Sequence, residues 1–158
     1  MMALVRGRDD FAALSGHGAA PDWPNPDLVD AMVFIAATVQ AEPGLSDWTR
    51  LFVLKESRLV IGEAGFKGLP SGDGAVEIGY GVAKSHRGRG LASEAVSAMC
   101  TWAFQQPGVR GIKAECLPDN IGSIGVLIRV GFSQTDSDAA MLRWEILQKR
   151  SLPRIPTP

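Results

Sequence analysis

A strand pattern that runs straight into a glycine-rich basic turn and then into an amphipathic helix constrains this chain most. In residues 75–82, Val76, Ile78, Tyr80 and Val82 alternate with Glu77, Gly79 and Gly81, the period-two signature of a strand with two distinct faces. Ser85, His86, Arg87, Gly88, Arg89 and Gly90 follow. Leu91, Ala95, Met99 and Trp102 then recur along one helical face until Pro107-Gly108 ends the helix. A chain that turns from strand to helix through two glycines aims several backbone amides at one point, beside the positive end of the helix dipole. Gly88 and Gly90 let an anion such as a pyrophosphate come close to the backbone, and Arg87 and Arg89 add charge.

Around this junction the period changes several times. The run Pro21-Asp22-Trp23-Pro24-Asn25-Pro26 cannot propagate a helix and separates two short helical segments. The second places Leu28, Met32, Ile35 and Val39 on one face before Pro43-Gly44. Leu51 and Val53 alternate with Phe52 and Leu54, then Glu56-Ser57-Arg58 turns into Leu59-Val60-Ile61, a hairpin pattern. Another turn lies at residues 70–74, and a strand at 111–117. Asn120 caps a helix whose Ile121, Ile124 and Ile128 are expected to face inward and which Gly131 stops. A terminal hairpin, residues 132–135 and 139–146, closes the domain. The fold class expected is mixed α+β around a central sheet, one domain over residues 1–149, with a mobile proline-containing tail at 150–158.

Several function classes are disfavoured. With 16 basic and 17 acidic residues and a net charge of −1, nothing directs the chain to nucleic acid or an anionic membrane. The two cysteines, Cys100 and Cys116, lack metal or redox spacing and read as buried hydrophobes, so no metal is expected. The longest apolar run, residues 31–37, falls far short of the ~20 residues of a membrane span, and the N-terminus lacks a signal-peptide core, so a cytoplasmic protein is expected. Ser93 stands where a dinucleotide fingerprint needs its third glycine and Arg110 lies where its acid belongs. No triphosphate-binding loop or serine-hydrolase elbow occurs.

Three marks then occur in order. They are Glu77-Ile78-Gly79-Tyr80; Arg87-Gly88-Arg89-Gly90-Leu91-Ala92, which matches Gln/Arg-x-x-Gly-x-Gly/Ala; and Asn120 with Ser123, Gly131 and Phe132, which matches Asn-x-x-Ser…Gly-Phe. In these the segment 77–132 resembles the GNAT superfamily of coenzyme A-dependent N-acetyltransferases, closest to its Rim-type branch, which includes ribosomal-protein alanine acetyltransferases. The resemblance implies a sheet splayed by a bulge in the fourth strand, with acetyl-CoA in the gap as cosubstrate. It implies an acetyl-CoA-binding core over residues 75–132, acceptor-side helices over 1–50, and transfer to a primary amine on a peptide N-terminus or a small molecule. It further implies that Arg87, Gly88, Arg89, Gly90, Leu91, Ala92 and Ser93 cradle the pyrophosphate. Val82 and Ala83 would hold the pantetheine arm through backbone amides and polarise the thioester, Asn120 would bond the arm, and Ser123 would sit by the thioester sulfur.

Transfer from a thioester to an amine needs a neutral nucleophile, a polarised carbonyl and a proton for the departing thiolate. Glu77, facing space left empty by glycines, is the candidate base; the alternative is an exposed acid paired with a cation. Glu115 is the rival acid, with Lys113 as its expected partner. Ser123 is the candidate proton donor to the thiolate, because Leu127 and Ile128 offer no hydroxyl where many family members carry a tyrosine. A different class of function also fits these residues, a catalytically silent acyl-CoA-binding sensor or interaction module. A homodimer through the terminal strands is compatible with an edge strand's need for cover.

Overall fold

The computed structural model describes residues 8–24, 43–70 and 72–148. Helix α1 (Arg8–Ser15) and the two-residue strand β1 (Gly18–Ala19) come first; a 3-10 turn (Pro43–Trp48) then enters the hairpin of β2 (Thr49–Leu54) and β3 (Leu59–Phe66). After β4 (Ala75–Val82) and a 3-10 turn (Lys84–His86) come α2 (Leu91–Ala103), β5 (Gly111–Cys116), α3 (Ile121–Val130), β6 (Ser133–Ser137) and β7 (Leu142–Leu147). The helix expected to carry Leu28, Met32, Ile35 and Val39, and the tail at 150–158, lie outside the described residues.

The strands form one mixed sheet in the order β1-β3-β4-β5-β7-β6, with β2 on the other side of β3. Its decisive feature is the β4–β5 contact. These two strands pair in parallel only at Ala75↔Gly111, Val76↔Ile112 and Glu77↔Lys113. Beyond Glu77, β4 stays with β3 from Ile78 to Val82, while β5 stays with β7 to Cys116, so the sheet opens into a wedge. The expected bulge in the fourth strand is not what opens it: β4 keeps unbroken register with β3, and the register shift of this half of the sheet lies at Phe52/Val53 in β2.

One face of β3 and β4 carries Ala64, Phe66, Ile78 and Val82 into the core, where α2 covers them with Val96, Met99, Cys100 and Ala103. Trp48 stacks edge-on against Trp102 at 5.1 Å and against Phe66 at 5.5 Å, tying the 3-10 turn to α2 across the sheet edge. The buried stripe of α2 is rotated from the expected Leu91, Ala95 and Trp102, which pack only partly against the core.

In α3 the correction is larger. Leu127 is fully buried and Ile124 partly so, but Ile121 and Ile128 are 73% and 60% exposed. Spacing alone admits two neighbouring stripes, and docking against α2 and the sheet selects the one through Leu127. Asn120 does cap this helix, accepting from Ser123 N at 3.1 Å, and Gly131 ends it at φ 103°. Cys100 and Cys116 are buried free thiols, and burial pushes Cys100 up to about 12.

Candidate active site

The wedge exposes backbone, not just side chains. In an antiparallel pair, alternate residues exchange hydrogen bonds with the neighbour and the intervening ones point the other way. Ala83 N donates to Ile61 O at 2.7 Å and Lys67 N to Glu77 O at 2.8 Å, which fixes the phase of the β3–β4 ladder. Counting in steps of two, Glu77, Gly79, Gly81 and Ala83 bond toward β3, whereas the N–H and C=O groups of Tyr80 and Val82 point into the gap that β5 has left. The amide of Ala83, expected to hold a pantetheine arm, is therefore already engaged by β3. The gap-facing amides are those of Val82 and of Tyr80, the second of which alternation of side chains does not reveal.

At the open end of the wedge the chain forms the glycine turn. Gly88 and Gly90 have φ of 72° and 77°, left-handed values that L side chains rarely adopt, and a methyl added at either meets nothing within 4 Å. The space in front of the turn is thus open. Gly90 is the N-cap of the 13-residue helix α2 and supplies no side-chain cap. The first helical bond is Glu94 N to Gly90 O at 3.1 Å, so the amides of Leu91, Ala92 and Ser93 have no partner within the helix. Such a bare N-terminus beside Arg87 and Arg89 fits a pyrophosphate. Arg87 also donates from Nε to Val82 O at 3.1 Å, locking the turn onto the end of β4. Ser85 is held from the other side: its N and Oγ donate to Asp22 at 2.8 and 2.7 Å, and these bonds hold the Asp22 carboxyl below its usual range.

Ser123 lies across the wedge on the first turn of α3. Its Oγ is 2.7 Å from the hydroxyl of Tyr80, which reaches over from β4. Burial pushes Tyr80 up to about 12, against the opposing pull of the Ser123 bond. This phenol stays protonated at any working pH, so the pair is a proton-bearing hydroxyl couple. Residue spacing within α3 gave no sign of it, because the two residues are far apart in the chain.

The acids are distributed along the other face of the sheet, on the side of Gly79 and Gly81. Glu77, the sequence candidate for the base, sits at the closed end of the wedge, and its carboxylate is ion-paired with Lys67. Glu115 pairs with Arg143, at 3.3 Å, and not with Lys113; the β5–β7 register puts Glu115 directly opposite Arg143, while Lys113 reaches Asp73 at 3.4 Å. A third acid, missed when β3 is ended at Ile61, is Glu63. It lies opposite Gly81, is half-buried, and accepts a hydrogen bond from Trp23 Nε1. Burial pushes Glu63 up to about 7, with the Trp23 bond opposing. An acid among Val60, Ile61, Ala64 and Phe66 was the available signal.

Among the described residues no group of three or more His, Cys, Asp or Glu is placed to hold a metal ion, and no helix is long and apolar enough to cross a membrane. The profile of the Acetyltransferase (GNAT) domain matches residues 8–133. The chain is 31% identical over 137 residues to the uncharacterized N-acetyltransferase YjdG of Bacillus subtilis (strain 168), covering 85% of this chain and 80% of that one. It is 28% identical to the ribosomal-protein-serine acetyltransferase of Escherichia coli (strain K12), over 70% of this chain and 62% of that protein. The crystal structure of Campylobacter jejuni N-acetyltransferase PseH in complex with acetyl coenzyme A shares the fold at a TM-score of 0.58 and 16% identity, covering 78% of this chain and 81% of that one. A wedge in a mixed sheet, a glycine turn at its mouth and these matches over most of the chain lead to one assignment: the chain is an acyltransferase and belongs to the GNAT acetyltransferase family.

Proposed function

We propose that this chain transfers the acetyl group of acetyl-CoA directly to a primary amine, with a peptide N-terminus as the favoured acceptor class. The observation that carries the reading is the gap-facing backbone edge of Tyr80 and Val82, whose N–H groups point into the wedge and which runs on into the bare amides of Leu91, Ala92 and Ser93. An extended thioester arm has the amide groups to add to such an edge as a strand would. Arg87, Gly88, Arg89 and Gly90 receive the pyrophosphate, and Asn120 lies beside Ser123 at the opposite wall. The thioester supplies the activated acyl carbon. The Tyr80–Ser123 couple delivers a proton to the departing sulfur.

A peptide acceptor is supported by the similarity to a ribosomal-protein-serine acetyltransferase. It is also supported by the open surface beside Gly79, where an added methyl would meet nothing within 4 Å. The test is release of free coenzyme A thiol from acetyl-CoA on addition of short peptides beginning with Ser or Ala, against small-molecule amines and N-terminally blocked peptides. Turnover with free peptide N-termini and none with blocked ones is expected. Binding of acetyl-CoA without turnover on any amine would instead support a silent acyl-CoA sensor.

A further inference from the structure

We infer that Glu63, and not Glu77, takes the proton from the attacking amine, an assignment that rests on the acetyl-transfer reading above. The two acids lie on the same face of the sheet but at different points along the wedge. Glu63 is the cross-strand partner of Gly81, and cross-strand partners project to the same side. Gly79 and Gly81 carry no side chain on that side, so nothing of β4 stands between Glu63 and the strand edge that faces the gap. Glu77 is four residues further down β4, about 13 Å away at roughly 3.3 Å per residue. It is at the closed end, where β4 and β5 are still paired and where Lys67 holds its carboxylate.

The surroundings of Glu63 suit a proton acceptor. Its described hydrogen-bond partner is the indole N–H of Trp23, which fixes one carboxyl oxygen and leaves the second for substrate. On β2 its neighbour Leu51 is apolar. Charged groups nearby are engaged elsewhere: Lys67 with Glu77, Asp22 with Ser85, and His86 Nδ1 with Ser85 Oγ at 2.8 Å. A half-buried carboxyl with no cation against it among the described residues has its proton affinity lifted toward neutrality, where a base is most effective. In the step, the amine nitrogen bonds to the acyl carbon, the carbon–sulfur bond breaks, and the amine's proton passes to Glu63. The thiolate takes a proton from the hydroxyl couple, and both sites re-equilibrate with water.

The experiment compares wild type, Glu63→Gln, Glu77→Gln and Trp23→Phe. Acetyl-CoA affinity is measured by calorimetry, and transfer to Ser- and Ala-initiated tripeptides and to methoxyamine is followed from mildly acidic to mildly alkaline pH. Methoxyamine is too weak a base to titrate near neutrality, so a rising limb with it reports the protein. Infrared titration of the protonated carboxyl band gives a readout independent of turnover.

Expected are a carboxyl titrating near neutrality in wild type and absent from Glu63→Gln, and unchanged acetyl-CoA affinity in that variant. Its kcat/KM at neutral pH should fall roughly 10²–10⁴-fold, with loss of the rising limb. Glu77→Gln should keep both rate and limb. Trp23→Phe, which removes the donor that favours the carboxylate, should move the limb to higher pH. Retention of full transfer and the same limb by Glu63→Gln overturns the inference while leaving the acetyl-transfer reading intact. Should Glu63→Gln fail to fold, an unmoved limb in Trp23→Phe, or no carboxyl titrating near neutrality in wild type, overturns it equally. Wild type that does not bind acetyl-CoA, or binds it and acetylates none of these amines, removes the reading and the inference together.

Discussion

The two flanks of the wedge are built on different principles. On the proposed cofactor side, residues 87–93 form one continuous segment that offers main-chain amides, exposed by two glycines at positive φ and a helix that lacks a side-chain cap. On the proposed acceptor side, the groups are side chains brought together from distant segments: Trp23 from the N-terminal region and Glu63 from β3, beside Gly79 of β4, where the surface is open. A local anion site depends on turn geometry and tolerates changes elsewhere. A nonlocal acid depends on the whole sheet holding register, and its proton affinity is set by how deeply the sheet buries it.

This contrast predicts a double dissociation. The largest effect is that of Glu63→Gln on transfer, given above, with acetyl-CoA affinity preserved. Next, Arg87→Ala with Arg89→Ala should weaken acetyl-CoA binding by at least about tenfold, since each charge-assisted bond contributes roughly 1.5–3 kcal/mol. The loss should shrink as salt is raised. Calorimetry at two ionic strengths checks this. Equal damage to affinity by both changes would erase the distinction between the flanks.

Stability should separate them too. Because Glu63 is raised from its ordinary 4.5 to about 7, the folded chain holds a proton that the unfolded chain has already lost between these values. Folding stability therefore falls as pH rises through this window and stays lower above it. Wild type should lose up to about 3 kcal/mol relative to Glu63→Gln between the two ends of the window, at about 1.4 kcal/mol per pH unit. Denaturant titrations of both proteins at acidic and mildly alkaline pH measure the difference, and parallel pH dependence would contradict the burial of this acid. Asn120→Ala should cost about 1 kcal/mol through loss of the α3 cap. Smallest of all, Glu77→Gln should change stability by less than about 1 kcal/mol, because its pair with Lys67 is solvent-accessible.

The same contrast explains what was legible in the sequence. The strand–glycine–helix junction and the Asn120 and Gly131 caps are written in contiguous residues, and the structure contains each where the pattern put it. The inward face of α3 was misplaced because Ile121, Ile124 and Leu127, Ile128 define two adjoining apolar stripes, and only packing chooses between them. Glu77 drew attention because strand alternation points it at glycines, but alternation cannot report that Lys67 lies beside it. Glu115 was matched to Lys113 on its own strand, whereas pairing across β5 and β7 gives it Arg143. The Tyr80–Ser123 contact and the Trp23–Glu63 bond, separated by 43 and 40 residues, are products of sheet topology.

We propose that the wedge between β4 and β5 receives acetyl-CoA, with its pyrophosphate on the glycine turn. Calorimetric titration of acetyl-CoA into wild type and into the Arg87→Ala, Arg89→Ala variant tests it most directly. Saturable one-to-one binding by wild type and clearly weaker binding by the folded variant are expected. Absence of binding to folded wild type, or equal affinity in both proteins, would contradict it.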